Sequence, residues 1–299
     1  MPMTLLTPLP AALEDAGGID LHMHSTASDG ALPPGELVAL CQQRGLSRLA
    51  LTDHDTVAGV AEAEQAAKAL GLRVLPATEL STQWRGMNIH IVALLPQGVC
   101  GSLEAGLVAQ AAARESRAEE IARRLEKLGL DDALARAREQ AGSPRPLGRP
   151  DFARALVAAG ITPDIKTAFK KHLGSGKPGD VKAHWPFIST AVEWIRDAGG
   201  VAVLAHPLRY GTTRRKRGLL LDDFTAAGGE AAELISGYQN ADATRDLARQ
   251  LDERGLYASL GSDFHFPGGA LAPGTMSPAP RSAVRPVWAH PALAAFAAA

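Results

Sequence analysis

Apolar residues in the first hundred positions fall into short runs separated by amphipathic stretches. Ile19–His24 reads as a strand. Pro33 and Pro34 then open a helix that runs to Gly45, with proline at its start and glycine at its stop. Arg48–Thr52 is a second strand, followed by a helix over Val57–Leu70 that Gly71 closes. Arg73–Pro76 is a third strand and Ile89–Leu94 a fourth. Strand-then-helix alternation predicts a parallel sheet or a barrel.

The rhythm stops after Gly101. From Leu103 to Leu173 the pattern is almost purely helical, with an Ile121, Leu125, Leu128 stripe in a helix over Ala111–Leu128. Shorter helices are predicted over Asp132–Gln140, Asp151–Ala159 and Asp164–His172, and Gly174–Gly179 reads as a loop. Residues 101–187 are therefore expected to form an α-helical insertion, with residues 1–100 and 188–299 forming an α/β domain around it. Alternation resumes with a helix over Ser189–Ala198, strands at Val201–Ala205 and Ala232–Ile235, a helix over Ala241–Gly255 and a last strand at Tyr257–Gly261. The Pro-, Ala- and Gly-rich tail after Pro267 is expected to be extended and to fray at its end. There is no internal sequence repeat.

Composition narrows the partners. The formal net charge of −1 gives no overall field that would draw in nucleic acid or an anionic membrane. An anionic substrate must then be held by local charge or by metal. Cys41 and Cys100 are the 2 cysteines and form no CxxC pair, which suits a reducing cytoplasm. Met1–Gly17 does not pattern as a signal peptide, and no apolar run approaches the roughly 20 residues that span a bilayer. Nothing in the pattern points to a membrane or to an obligate protein partner.

The chemistry sits where the strands end. His22 and His24 are two apart in a strand and share a face, which makes half of a metal site. Ser28-Asp29-Gly30 turns a carboxylate back towards that strand end, and the second strand ends in Thr52-Asp53-His54-Asp55. The third is expected to end at Glu79, the fourth contains His90, one later strand ends in His206-Pro207, and the last in Asp263-Phe264-His265. In parallel α/β folds, sites are built at the C-terminal ends of strands. A single such residue means little, but the same choice at successive strands needs a common cause. Packing these imidazoles and carboxylates together would be costly without cations. Mixed nitrogen and oxygen donors suit Mn²⁺, Zn²⁺ or Fe²⁺, and the set exceeds what one ion needs, so two or three ions are implied.

These residues carry a resemblance. Asp20-Leu21-His22-Met23-His24-Ser25, Thr52-Asp53-His54, Glu79, His90, Ala205-His206-Pro207 and Gly261-Ser262-Asp263-Phe264-His265 make the chain similar to the PHP (polymerase and histidinol phosphatase) family of metal-dependent phosphoesterases. The resemblance implies a distorted (β/α)7 barrel with a trinuclear centre. In that centre His22, His24, Glu79 and Asp263 would hold one ion, Glu79, His90 and His206 a second, and Asp29, His54 and His265 a third. A metal-bridging hydroxide held by Glu79, Asp263 and His206 would be the nucleophile. Asp53 and Asp55 would orient the ligands; their plainer reading is a turn.

The insertion, with Gly148-Arg149-Pro150 and Gly176-Lys177-Pro178, brings the chain nearest to the subgroup of 3′,5′-nucleoside bisphosphate phosphatases and 5′→3′ exonucleases on short RNA. It departs from that subgroup at Asp151, where many members have His, and at Ala77, where they have Gly. The implied activity is hydrolysis of the 3′-phosphate of a nucleoside 3′,5′-bisphosphate, with Mn²⁺ as the expected metal. Arg149, Lys177 and Arg209 would hold phosphate. The alternatives are exonuclease action on short RNA, a histidinol-phosphate phosphatase, a deacetylase-like hydrolase, or a non-catalytic metal-binding module. The run Arg214-Arg215-Lys216-Arg217 reads as a solvated loop, and His172, His184 and His290 as surface or capping residues.

Overall fold

The computed structural model describes residues 8–142, 144–181 and 185–298; His184 lies outside them. The chain divides into two compact units, Met1–Gly106 with Pro186–Ala299, and Leu107–Trp185.

The first unit is built on a seven-stranded sheet in the order β1-β2-β3-β4-β5-β6-β7. It runs β1 (Ile19–Asp20), α1 (Pro34–Gln43), β2 (Arg48–Leu51), α2 (Val60–Leu70), β3 (Arg73–Trp84) and β4 (Met87–Leu94). After α3 (Ser102–Glu126), which leads into the second unit, and α4 (Ala133–Ala141), α5 (Arg149–Ala158) and α6 (Ile165–Ala168) within it, the first unit resumes. Its remaining elements are α7 (Ile188–Asp197), β5 (Val201–Leu204), α8 (Arg214–Ala226), β6 (Ala231–Ser236), α9 (Ala241–Asp252), β7 (Tyr257–Gly261) and α10 (Ala294–Ala297).

The sheet closes on itself. Leu21 N donates to Leu260 O at 3.1 Å, His24 N to Phe264 O at 2.9 Å and Asp263 N to His22 O at 2.8 Å. Those bonds join the chain after β1 to the end of β7 and make the distorted seven-stranded barrel. Three of its strands, β2, β5 and β6, are the all-buried runs Arg-Leu-Ala-Leu, Val-Ala-Val-Leu and Ala-Ala-Glu-Leu-Ile-Ser, as expected where helices cover a sheet. Outside β1, β2 and β3, the α1 and α2 faces pack Leu37, Val38, Cys41, Ala63 and Ala67 against Leu49, Leu51 and Phe264.

Three features differ from the pattern-based expectation. First, β3 does not stop near Glu79; it continues to Trp84 and turns at Arg85-Gly86 into β4, antiparallel to it, and β4 is antiparallel to β5 as well. Glu79 and His90 are thus mid-strand residues of a hairpin, which a strand-helix reading cannot show. Second, the Arg214–Arg217 run is the first turn of α8 and not a loop. Thr213 caps it by accepting from Lys216 N at 3.2 Å, and Asp246 takes Arg214 and Arg217 at 2.8 Å each. Third, the tail is anchored. Arg48 donates to the carbonyls of Phe296 and Ala298, Arg73 to those of Ala295 and Ala298, and Trp288 is buried and donates to Pro10 O.

The second unit has its own apolar core, with Ile121, Leu125, Leu130, Phe152, Leu156 and Leu173 among its members. Asp151 is fully buried there; it accepts from Gly148 N at 2.7 Å, capping α5, and pairs with Arg145 at 2.7 Å. That accounts for a carboxylate at this position by structure alone. Among the described residues no helix is long and apolar enough to cross a membrane.

The closure leaves no room at Gly261. A Cβ there would fall on His22 Cβ and within 2.8 Å of His22 N. Gly261→Ala is expected to cost about 1–3 kcal/mol through overpacking and to displace His22. Thermal melting checks this; an unchanged midpoint would contradict the closure.

Candidate metal centre

All nine expected ligands belong to the first unit, and the barrel gathers them at one mouth. His22 and His24 follow β1, His54 follows β2, His206 follows β5, and Asp263 and His265 follow β7. Because β4 runs against its neighbours, His90 reaches the same mouth as Glu79 on β3.

Glu79 is the hub. Its Oε2 lies 3.3 Å from His22 Nε2, 3.3 Å from His24 Nε2 and 3.1 Å from His54 Nδ1. Its Oε1 lies 3.0 Å from His90 Nδ1 and 3.0 Å from His206 Nε2. Asp263 Oδ1 is 3.5 Å from His22 Nε2 and 3.3 Å from His24 Nε2. Asp29 is 3.8 Å from His24, 3.9 Å from His54 and 3.5 Å from His265.

Donor atoms close enough to share an ion form three overlapping groups: His24, Asp29, His54 and His265; His22, His24 and Asp263; and His54, Glu79 and His90. His24 and His54 each belong to two groups, so the residues are less cleanly divided than the resemblance implies. The chemistry of the set fits divalent cations. The buried Nδ1 atoms of His24 and His206 have no hydrogen-bond partner, and His54 Nδ1, near Glu79, lacks hydrogen-bond alignment with it. Buried polar nitrogens in that condition are costly unless something else satisfies them.

The electrostatics agree. Burial opposes ionisation of Glu79, but the imidazoles around it, His22 foremost, outweigh it and hold its carboxyl well below the usual range. Asp263 is likewise held low, against burial, by His22, His24 and His265. Burial also opposes protonation of His24, yet Asp263, Glu79 and Asp29 lift its pKa to about 10. His54, where burial wins, falls to about 3.

The supporting residues are tightly bound. Asp53 accepts from Ser25 N at 2.8 Å, Ser25 Oγ at 2.6 Å and Ser28 Oγ at 2.5 Å, holding the turn that presents Asp29. Asp55, in the left-handed region at φ 54°, accepts from Ser81 N at 2.7 Å, bracing β3 beside Glu79. His206 and Asp263 also have positive φ, 31° and 56°. Non-glycine residues in such conformations cost about 1–3 kcal/mol each and cluster at functional sites.

Three residues to which the motifs assigned no role complete the centre. Asp20 is buried and accepts from His22 N, Ser262 N and Gly274 N at 3.2, 2.9 and 2.7 Å, tying both ends of the barrel seam. Glu233 touches both His22 and His206. The Tyr210 hydroxyl accepts from His90 N at 2.8 Å, and its ring stands edge-on to His206. For Glu233 a signal existed: it is the only charged residue in the buried run of β6.

Of the proposed phosphate contacts, Arg209 donates to Asp263 and, at 3.0 Å, to Ser236 O. Arg149 and Lys177 belong to the second unit. Arg149 lies over the Phe169 ring and donates to Leu173 O at 3.3 Å, while Lys177 is exposed. His290 caps a turn by accepting from Ala292 N and meets Glu230; His172 is half-buried.

Barrel and donor set together define a divalent-metal hydrolase, and the chain belongs to the PHP family. The family's PHP domain matches residues 20–98. A 5′-3′ exoribonuclease of Haemophilus influenzae is 45% identical over 90% of this chain and 97% of its own length. A 3′,5′-nucleoside bisphosphate phosphatase of Chromobacterium violaceum is 42% identical over 84% of this chain and 88% of its own. The structure of an amidohydrolase from Chromobacterium violaceum, with bound sulfate and no metal, superposes with a TM-score of 0.86 at 40% identity, covering 93% of this chain and 96% of that one.

Metal binding is expected to release protons. With His24 raised to about 10 in the metal-free protein, an ion must displace its proton. Apparent affinity should therefore rise with pH up to about 10 and weaken as pH falls. Calorimetry at neutral pH in buffers of different ionisation enthalpy reads the release; a buffer-independent heat would contradict it.

Proposed function

We propose that this chain is a metal-dependent phosphatase that removes the 3′-phosphate from nucleoside 3′,5′-bisphosphates, leaving the 5′-mononucleotide. The observation that carries this reading is the cluster around Glu79, whose donor set suits two or three divalent ions. His22, His24, Glu79 and Asp263 would hold one, Glu79, His90 and His206 a second, and Asp29, His54 and His265 a third, with Mn²⁺ the favoured metal. Bound there, the ions supply a nucleophile at neutral pH and neutralise charge developing on phosphorus.

The chain's own residues do the rest. Glu79 and Asp263 stay ionised and hold the imidazoles in place. Asp53 and Asp55 fix the turns beside them. Arg209, linked to Asp263, is the proposed cation for the reacting phosphate, and Arg149 and Lys177 those for the second phosphate. Among the described residues Arg149 has no carboxylate in salt-bridge contact, and burial lowers its pKa, which suits a cation kept for an anionic ligand. A second phosphate contact makes remote binding energy available to position the reacting ester. Both cysteines are free, in keeping with a reducing cytoplasm.

The similarity to an exoribonuclease over nearly all of that relative's length favours a second reading: release of 5′-mononucleotides from short RNA.

Phosphorus NMR of the products tests the main reading. Adenosine 3′,5′-bisphosphate should give 5′-AMP and phosphate; adenosine 3′-phosphate as sole product would reverse the orientation, and no phosphate release would remove the reading. Arg149→Ala should lose about 1.5–3 kcal/mol of transition-state binding, roughly 10- to 100-fold in kcat/KM, with metal content intact. Unchanged turnover of the bisphosphate would make Arg149 a purely structural arginine.

A further inference from the structure

We propose that Glu233 is the positioning residue of the centre: it fixes which nitrogen His22 offers to metal and holds His206 in its unusual backbone conformation. Glu233 is buried in β6, and both of its oxygens are in use. Oε1 takes the hydrogen on His22 Nδ1 at 2.6 Å, and Oε2 accepts from His206 N at 2.6 Å. His22 Nε2 is thereby left to face His24 Nε2 at 3.1 Å, Glu79 and Asp263.

A carboxylate can only accept. With it on Nδ1, a His22 that has given up one proton to bind metal must keep its remaining hydrogen there and offer the lone pair of Nε2, directed at the other donors. The second oxygen acts on backbone. His206 sits at φ 31°, where an L residue needs outside support, and a buried charged acceptor on its N–H supplies it. The rings of His22 and His206 stack at 5.8 Å, so one side chain registers two ligands that touch opposite oxygens of Glu79.

The strand is shaped for this. Glu233 pairs with Ser259 and Ile235 with Leu260, so β6 carries one extra residue, Leu234, next to Glu233. A bulge of this kind re-aims side chains and is common beside active sites.

Glu233→Gln separates positioning from mere space-filling. The His206 N–H can only donate, so the amide oxygen must stay there and the amide NH₂ must face His22 Nδ1. His22 Nδ1 would then have to accept, and Nε2 would carry the hydrogen. The inference rests on the metal-centre reading, and titration with cadmium alone distinguishes the two. The wild-type protein, loaded with ¹¹³Cd²⁺ and labelled with ¹⁵N, should show cadmium coupling at His22 Nε2 and a slowly exchanging hydrogen on Nδ1. Glu233→Gln should bind cadmium about 10- to 100-fold more weakly and lose that Nδ1 signal, while the metal-free form keeps its cooperative melt. Glu233→Asp retains the charge but is too short to span both partners, and should fall between.

Wild-type affinity in Glu233→Gln, with cadmium still on Nε2, overturns the proposal. Coupling to Nδ1 in the wild-type protein overturns it even if neither variant folds. A wild-type protein that binds no cadmium, zinc or manganese would overturn the metal centre itself and the Glu233 role with it.

Discussion

A carboxylate removed from water and ringed by imidazoles is the constraint on which this molecule turns. Glu79 is buried, and its oxygens meet His22, His24, His54, His90 and His206 at 3.0–3.3 Å. Alone in such a place it would take up a proton. The imidazoles keep it ionised, and ionised it holds them together. Everything around it serves that arrangement. The antiparallel β3–β4 hairpin delivers Glu79 and His90 from strand interiors, Asp20 ties the seam where His22 and Ser262 meet, and Asp53 and Asp55 secure the flanking turns. The positive-φ backbone at His206 and Asp263 is the strain that this packing sustains.

Much of the centre was legible in the chain. Residues such as His22, His24, His54, Asp263 and His265 sit at strand ends in short motifs, where parallel folds collect chemistry. The roles of Asp20 and Glu233 were not, because the partners that reveal them lie far off in sequence: Asp20 also holds Ser262 and Gly274, and Glu233 meets His22 211 positions away. The hairpin was missed for a different reason. A local pattern marks that a strand exists but says nothing of its direction, and β4 reverses only through the turn at Arg85-Gly86. Charge density misled at Arg214–Arg217, where Asp246 on α9 turns an apparent loop into a helix start. Composition misled in the tail, whose backbone carbonyls are gripped by Arg48 and Arg73.

The two units divide the chemistry unequally. The barrel unit holds every residue proposed to touch metal, whereas the helical unit has its own core and carries Arg149 and Lys177, the cations proposed for the second phosphate. The proposed division of labour follows: reactivity belongs to the Glu79 cluster, and the choice of substrate to cations outside it. The same cluster could serve a bisphosphate or the end of a short RNA, since in-line attack on phosphorus asks the same of the centre in both.

Metal stoichiometry read against activity decides whether the centre is multinuclear. Metal-free protein would be reconstituted with Mn²⁺ in steps, each step analysed for bound metal and for phosphate release from adenosine 3′,5′-bisphosphate. The rate should stay near baseline with one ion per chain and reach its plateau with two or three. Full activity with a single ion would rule out a multinuclear centre.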